Sequence, residues 1–130
     1  MRYFSFILFI VMSQPGHAEM YDAQYQTCSS GTTVEIVECV NRATKEWDLR
    51  LNTSYKALMG RVDEGQREPL KAAQRLWIKY RDANCTLYAS REGTIRQIEG
   101  AECMRAMTKS RTCELEAIHR YEAMPDDGCR

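Results

Sequence analysis

The sequence of 130 residues has little of the chemistry that most metal sites need. It contains two histidines, His17 and His119, and no Cys-x-x-Cys pair. Zinc modules hold their metal with closely spaced Cys and His ligands. Here the positions of successive cysteines differ by 11, 46, 18, 10 and 16, which fits no zinc module. We therefore predict that the chain holds no metal.

Recognisable catalytic arrangements are missing from the sequence as well. A Ser/His/Asp triad would have to recruit His119 from a helix, without the Gly-x-Ser-x-Gly turn that exposes a serine nucleophile. Glu116 and His119 have the spacing of di-metal helix bundles, but those sites need a second Glu-x-x-His motif and two further carboxylates. Glycine-rich phosphate loops are also missing. We predict that the protein is not an enzyme and binds no cofactor.

Long apolar runs and an excess of positive charge do not occur either. The longest apolar run, between Phe4 and Met12, has nine residues interrupted by one serine, whereas a transmembrane helix needs about 20. The 18 Lys and Arg residues are balanced by 18 Asp and Glu residues, so no basic excess favours nucleic acid or an anionic membrane. We predict neither a membrane span nor nucleic-acid binding.

The short apolar run has the features of a secretory signal peptide. Arg2 precedes it, and Gly16 and Ala18 are small residues at positions −3 and −1 of a cleavage site. We predict cleavage after Ala18, which leaves residues 19–130 as one domain in the periplasm or secreted. A lipid anchor is not expected, because the first cysteine, Cys28, lies well past the cut.

All six cysteines follow the predicted cut. An even number of cysteines in an exported chain indicates disulfide bonds. The residues are Cys28, Cys39, Cys85, Cys103, Cys113 and Cys129. Six cysteines permit many pairings, and their number alone does not choose among them.

The beginning of the domain predicts a short helix. Residues 19–31 have no clear pattern and are expected to be irregular. Thr32 and Glu35 then match a capping box, in which each side chain hydrogen-bonds to the backbone of the other residue. A short N-terminal helix is therefore expected to run to about Cys39.

Apolar residues at steps of three and four predict the other helices. Two long helices are expected, one containing Trp47–Leu58 and one containing Leu70–Leu87, with Pro69 in the first turn of the second. A C-terminal helix is expected from about Gly100 to Ala123. Because no segment alternates as a strand would, we predict an all-α fold. It is a small antiparallel helical domain stapled by disulfides.

The segment between Gln74 and Cys85 is the most distinctive part of the sequence. Gln74, Trp77 and Arg81 share one helix face. In one interpretation they form a core stripe in which Arg81 is paired with a carboxylate or backbone carbonyls. In the other they form an aromatic and arginine patch for a protein partner. The core interpretation is favoured, because tryptophans at helical spacing usually lie in the core.

Together these motifs form an ordered set that spans residues 28–115. Its members are Cys28, Thr33, Cys39, Asp48, Leu51, Asn52, Tyr55, Gln74, Trp77, Tyr80, Arg81, Asp82, Cys85, Cys103, Thr108, Arg111 and Leu115. The set resembles the LprI-like family, which is named for a lysozyme-inhibitor lipoprotein. The resemblance implies an all-helical domain in which the shared positions are structural, and no inhibitory residue can be transferred from it.

The resemblance also bears on the disulfides. It implies that Cys28 pairs with Cys39 and Cys85 with Cys103. Cys113 and Cys129 are additional to the family pattern. We expect a third disulfide between them, which would tie the C-terminal tail to the last helix.

Two functions are compatible with the sequence and its resemblance. The first is a cell-envelope protein that binds and inhibits a lysozyme-type muramidase. The second is a periplasmic interaction, stress or immunity-like protein with a different protein partner and no enzymatic activity. The sequence does not specify the oligomeric state.

Processing after Ala18 is directly testable. We expect the intact mass of the exported protein to correspond to a chain that begins at Glu19. A periplasmic or secreted product that retains Met1 would contradict the prediction.

Overall fold

The structure, a computed structural model, describes residues 19–118 and 128–129. It contains the helices α1 (Ala23–Gln26), α2 (Thr33–Met59), α3 (Glu64–Ala89) and α4 (Ile95–Ala117), and no strand within the described residues. The predicted all-α fold is therefore confirmed. The predicted signal peptide, His119 and the predicted end of the last helix lie outside the described residues.

The beginning of α2 follows the capping box, but the helix is longer than expected. The Thr32 N–H donates to Glu35 Oε2 at 2.8 Å, and the Glu35 N–H donates to Thr32 Oγ1 at 3.3 Å. The prediction of a separate short helix ending near Cys39 was wrong. No proline or glycine interrupts the chain after Cys39, and Val40 and Trp47 are both buried on one continuing face. A four-residue helix, α1, also lies in the segment that was expected to be irregular.

Two other helix boundaries differ from the prediction. α3 begins at Glu64, where the Asp63 N–H donates to Gln66 Oε1 at 3.1 Å. Pro69 therefore lies in the second turn of α3, where it removes the hydrogen bond that residue 69 would donate to the carbonyl of residue 65. α4 begins at Ile95, about one and a half turns before the predicted start at Gly100.

α2 and α4 run in the same direction, and α3 runs antiparallel to both. Near the start of α4, Ile98 packs with Ile36 and Val40 from the start of α2. Near the end of α4, Leu115 packs with Leu51 and Leu58 from the second half of α2. α4 also contacts α3, so the last helix forms the centre of the domain.

The central helix buries many polar side chains. Its buried polar residues are Glu99, Glu102, Arg105, Thr108, Arg111 and Thr112. A buried charge without a partner is very unfavourable, so the position of α4 depends on partners supplied by its neighbours.

Three disulfides connect the ends of these elements, and they are the pairs expected from the sequence. Cys28–Cys39 fastens the segment after α1 to α2, and Cys85–Cys103 joins α3 to α4. Cys113–Cys129 ties the described part of the tail to α4. Each closes a loop of 11 to 18 residues, a length for which a disulfide contributes about 3 kcal/mol to stability.

α3 and α4 come into close contact beside the Cys85–Cys103 bond. A Cβ atom at Gly100 of α4 would lie 2.8 Å from the Cβ atom of Ala89 at the end of α3. Gly100 therefore permits an approach that any larger residue would prevent.

We expect Gly100→Ala to lower the free energy of unfolding by about 1–3 kcal/mol, because the added methyl group forces the two helices apart. Gly65→Ala is the matched control, since no atom lies within 4 Å of a Cβ at that position of α3. Alanine favours a helix over glycine, so the control should be unchanged or more stable by roughly 0.5 kcal/mol. Denaturant unfolding of the oxidised proteins measures both changes. Equal stability of the two variants would contradict this account of Gly100.

Candidate functional site

The side chain of Arg81 connects all three long helices. Its Nε donates to Asp82 Oδ1 at 3.0 Å, and its Nη1 donates to Thr108 Oγ1 of α4 at 3.5 Å. Nη1 also lies 4.0 Å from Asp48 Oδ1 of α2. The guanidinium carbon is 5.0 Å from the centre of the Trp77 ring, within the range of a cation–π contact. This arrangement corresponds to the core interpretation of Arg81.

Other motif residues join the helices in the same way. Buried Arg111 donates from Nε to Gln74 Oε1 at 3.0 Å and from Nη1 to Glu114 Oε2 at 2.8 Å. Leu51 is buried in an apolar cluster against which Tyr55 packs. These contacts hold α2, α3 and α4 together and leave few atoms for a partner.

A minority of the motif residues face solvent. Asn52 is exposed and donates weakly to Asp48 at 3.5 Å, and Tyr80 on α3 is 60% exposed. The side chains of Asp48 and Asp82 are about half exposed. These four residues are the part of the motif that a partner could reach.

A second polar cluster, formed around Arg105, has no counterpart in the sequence-based predictions. The fully buried guanidinium donates to both carboxylate oxygens of Glu102, at 2.6 and 2.7 Å. It also donates to Gln24 Oε1 at 2.7 Å, and Nη2 lies 2.8 Å from Asp22 Oδ1. Arg105 thereby fastens the N-terminal segment to the central helix.

Trp47 extends this cluster to α2. Its indole N–H donates to Gln24 Oε1 at 2.8 Å, and Lys109 Nζ lies 5.9 Å from the ring centre. The Thr112 hydroxyl donates to the Trp47 carbonyl at 3.4 Å. Gly128 of the tail lies against the six-membered ring of the indole, where a Cβ atom would be 3.5 Å away. The N-terminal segment, α2, α4 and the tail therefore meet at one tryptophan.

Tyr21, which is hydrogen-bonded to Glu102 of the Arg105 cluster, has an unusual backbone conformation. Its φ angle is 62°, in the left-handed region that a bulky residue rarely adopts. Its N–H donates to Glu102 Oε1 at 2.8 Å, and its carbonyl accepts from Gln26 Nε2 at 3.1 Å. The ring packs edge-to-face on Tyr25 at 4.9 Å and is still 41% exposed. The surrounding contacts therefore hold a strained residue at the surface.

Arg91 lies on the loop between α3 and α4, close enough to Tyr21 for its charge to influence the pKa of that residue. Its Nη1 donates to Glu99 Oε1 at 2.7 Å, and its side chain is 63% exposed. Burial raises the pKa of Tyr21, the carboxylates of Glu99 and Glu102 raise it further, and the charge of Arg91 lowers it. We call the exposed groups of Tyr21 and Arg91 the Tyr21–Arg91 surface.

The described residues provide neither a metal site nor a membrane-spanning helix. Within 19–118 and 128–129, no group of three or more His, Cys, Asp or Glu residues is placed to hold a metal ion. No helix in that part of the chain is long and apolar enough to cross a membrane.

Comparison with known proteins agrees with this helical, disulfide-bonded architecture. A family model described as lysozyme inhibitor LprI matches residues 24–115. The chain belongs to the LprI family. The chain is also similar to an uncharacterized protein of Rhizobium meliloti (strain 1021), with 27% identity over 126 residues, 85% of this chain and 89% of the relative. No solved structure matches it.

The LprI match extends over the predicted motifs but not over the whole Arg105 cluster. Asp22 and Tyr21 precede the matched residues. Sequence reasoning missed both, because their segment has no helical or strand periodicity. Glu102 and Arg105 have the i,i+3 spacing of an ordinary exposed ion pair, so only the fold reveals that they are buried. The positive φ angle of Tyr21 was missed as well, because no sequence pattern indicates it.

The pKa of Asp22 makes the Arg105 cluster sensitive to acid. Burial alone would raise this pKa, but hydrogen bonds from Lys109 and the Tyr25 N–H, together with the charge of Arg105, hold it below its usual value. A carboxylate with a lowered pKa stabilises the fold above its unfolded pKa, about 3.9 for Asp. That contribution is lost as the pH falls through the lower pKa of the folded state.

We expect Asp22→Asn to be less stable than the wild type at pH 7 by about 1–3 kcal/mol, because charge-assisted hydrogen bonds are lost. Below pH ~4 the difference should shrink, since the wild-type carboxyl group then becomes protonated. Urea unfolding at several pH values measures this convergence. Glu46→Gln, which changes an exposed carboxylate on α2, should leave stability at pH 7 unchanged. A constant difference between Asp22→Asn and the wild type at all pH values would contradict the proposed role.

Proposed function

We propose that the protein is exported after signal-peptide cleavage and inhibits a lysozyme-type muramidase by stoichiometric binding. The observation that carries this proposal is the match of the LprI family model to residues 24–115, which include most of the helical domain. The description of that family names lysozyme inhibition.

The disulfides support an extracytoplasmic location. The six cysteines all lie in disulfides, and no free cysteine remains. Disulfides persist in oxidising compartments such as the periplasm and the extracellular space. Muramidases act on the cell wall in the same compartments, so inhibitor and enzyme would meet there.

The architecture supports binding by a rigid surface. The disulfides, the Arg81 contacts and the Arg105 cluster restrain each long helix and the N-terminal segment. A surface that is ordered before binding loses little conformational entropy on association. Such a domain is suited to tight binding without a conformational change.

A second candidate function is supported by the outer face of α3. Leu76, Tyr80 and Leu87 lie on one side of this helix and are 60–67% exposed. An exposed apolar face on a helix indicates a protein contact. The protein could therefore be an envelope interaction or immunity-like protein whose partner is not a muramidase.

Titration into muramidase assays distinguishes these functions. We expect the oxidised protein to abolish cell-wall hydrolysis by at least one of a hen-type and a goose-type lysozyme, with an endpoint near equimolar ratio. The same protein after reduction and alkylation is the control for fold, and an amidase acting on the same cell walls is the control for substrate masking. Neither control should show inhibition. No effect on either lysozyme at large excess would favour the second candidate, and a pull-down from periplasmic extract would then identify the partner.

A further inference from the structure

We propose that the Tyr21–Arg91 surface is the part of the inhibitor that enters the carboxylate-lined substrate cleft of the muramidase. This inference rests on the proposed function. It names the residues that would contact the enzyme, which the family match does not do. It follows from how Tyr21 and Arg91 are held, from the donors that they expose and from the charges around them.

Tyr21 and Arg91 are held on neighbouring turns of the central helix. Glu102 accepts the Tyr21 N–H at 2.8 Å, and Glu99 accepts from Arg91 Nη1 at 2.7 Å. Residues three apart on a helix are adjacent on its surface, about 5–6 Å between Cβ atoms. The Tyr21 backbone and the Arg91 side chain are thus held near each other at the end of the domain where α4 begins, and the charge of Arg91 lowers the pKa of Tyr21.

The conformation of Tyr21 is maintained against a backbone penalty. A bulky residue at φ 62° costs of order 1–3 kcal/mol, and such residues persist only where the surroundings enforce them. Here the buried Glu102–Arg105 pair and Gln26 hold the backbone, while the ring stays partly in solvent. A glycine at this position would satisfy the backbone without strain.

The exposed groups of this surface suit a glycosidase cleft. Glycosidases place two carboxyl groups on either side of the scissile bond. The phenol O–H and the guanidinium N–H groups are donors that carboxylates accept, and arginine binds carboxylates in a bidentate manner. Among the described contacts, Arg91 uses only Nη1 for Glu99, so further donors face outward. Tyrosine and arginine are also the residue types enriched at binding hot spots.

Exposed carboxylates flank the two donors. Glu19 precedes Tyr21 by two residues, Glu92 follows Arg91, and both are exposed. Many lysozymes are basic, so acidic residues at the rim would favour association by electrostatic attraction. The two donors thus have exposed acidic neighbours in the sequence, which favours association with a basic enzyme that has an acidic cleft.

The test measures inhibition constants for variants of the full mature protein against the lysozyme that the wild type inhibits. We expect Tyr21→Gly to weaken inhibition about 30-fold or more, the effect of removing a hot-spot aromatic side chain. The variant should remain folded, because glycine adopts this backbone conformation without strain. Arg91→Gln, whose amide still donates to Glu99, should weaken inhibition about tenfold.

Leu49→Ala is the control, because Leu49 is a large exposed side chain on α2; it should inhibit as well as the wild type. If Tyr21→Gly folds poorly, Tyr21→Asn tests the same loss, since asparagine also tolerates this backbone conformation. A chito-oligosaccharide that fills the cleft should displace the wild type.

Three results would overturn this inference alone. They are full inhibition by Tyr21→Gly or Tyr21→Asn, an equal loss in Leu49→Ala, and inhibition that the oligosaccharide does not relieve. A wild-type protein that inhibits no lysozyme would overturn both this inference and the proposed function.

Discussion

The buried ion pair between Arg105 and Glu102 is the interaction on which the arrangement of the domain depends. Both side chains are completely removed from solvent. Removing one partner from such a pair leaves an uncompensated charge, at a cost of about 3–5 kcal/mol. The pair is complete only when Asp22 and Gln24 supply the remaining contacts. The electrostatics of one helix therefore determine where the N-terminal segment lies, and with it Tyr21.

The same principle applies along the whole of α4. Most polar atoms buried on this helix are matched by a group from another segment or from a neighbouring turn; among the described residues, Glu99 Oε2 is the one buried side-chain oxygen without a hydrogen-bond partner. Arg111 meets Gln74 of α3, Thr112 meets the backbone of α2, and Thr108 donates to the Met104 carbonyl. Directional contacts of this kind define the relative positions of helices more strictly than apolar packing does. Several family motif residues take part in this network, as in the contacts of Arg81 with Thr108 and of Arg111 with Gln74. Their main role is therefore to join the helices.

Much of the fold was predictable from the sequence, and the site was not. The apolar stripes around Trp47 and Trp77 identified α2 and α3, because their periodicity depends only on which side of a helix is buried. The boundaries were less accurate, since nothing in the sequence revealed that α2 continues past Cys39 or that α4 begins at Ile95. The sequence did not indicate that Tyr21 and Arg91 lie near each other. Each is held by a glutamate of α4, Glu102 or Glu99, and two glutamates three residues apart are common on exposed helix faces. Contacts between segments some 70 residues apart leave no local pattern to recognise.

The disulfides join the first cysteine to the second, the third to the fourth and the fifth to the sixth. A chain that crosses a membrane from its N-terminus exposes its cysteines in this same order. An oxidase that links each cysteine to the next one to emerge would therefore produce the native bonds directly. Non-native bonds would not need to be reshuffled by an isomerase. The arrangement of the cysteines thus makes oxidation compatible with vectorial export, and the first two bonds can form before the second half of α4 has appeared.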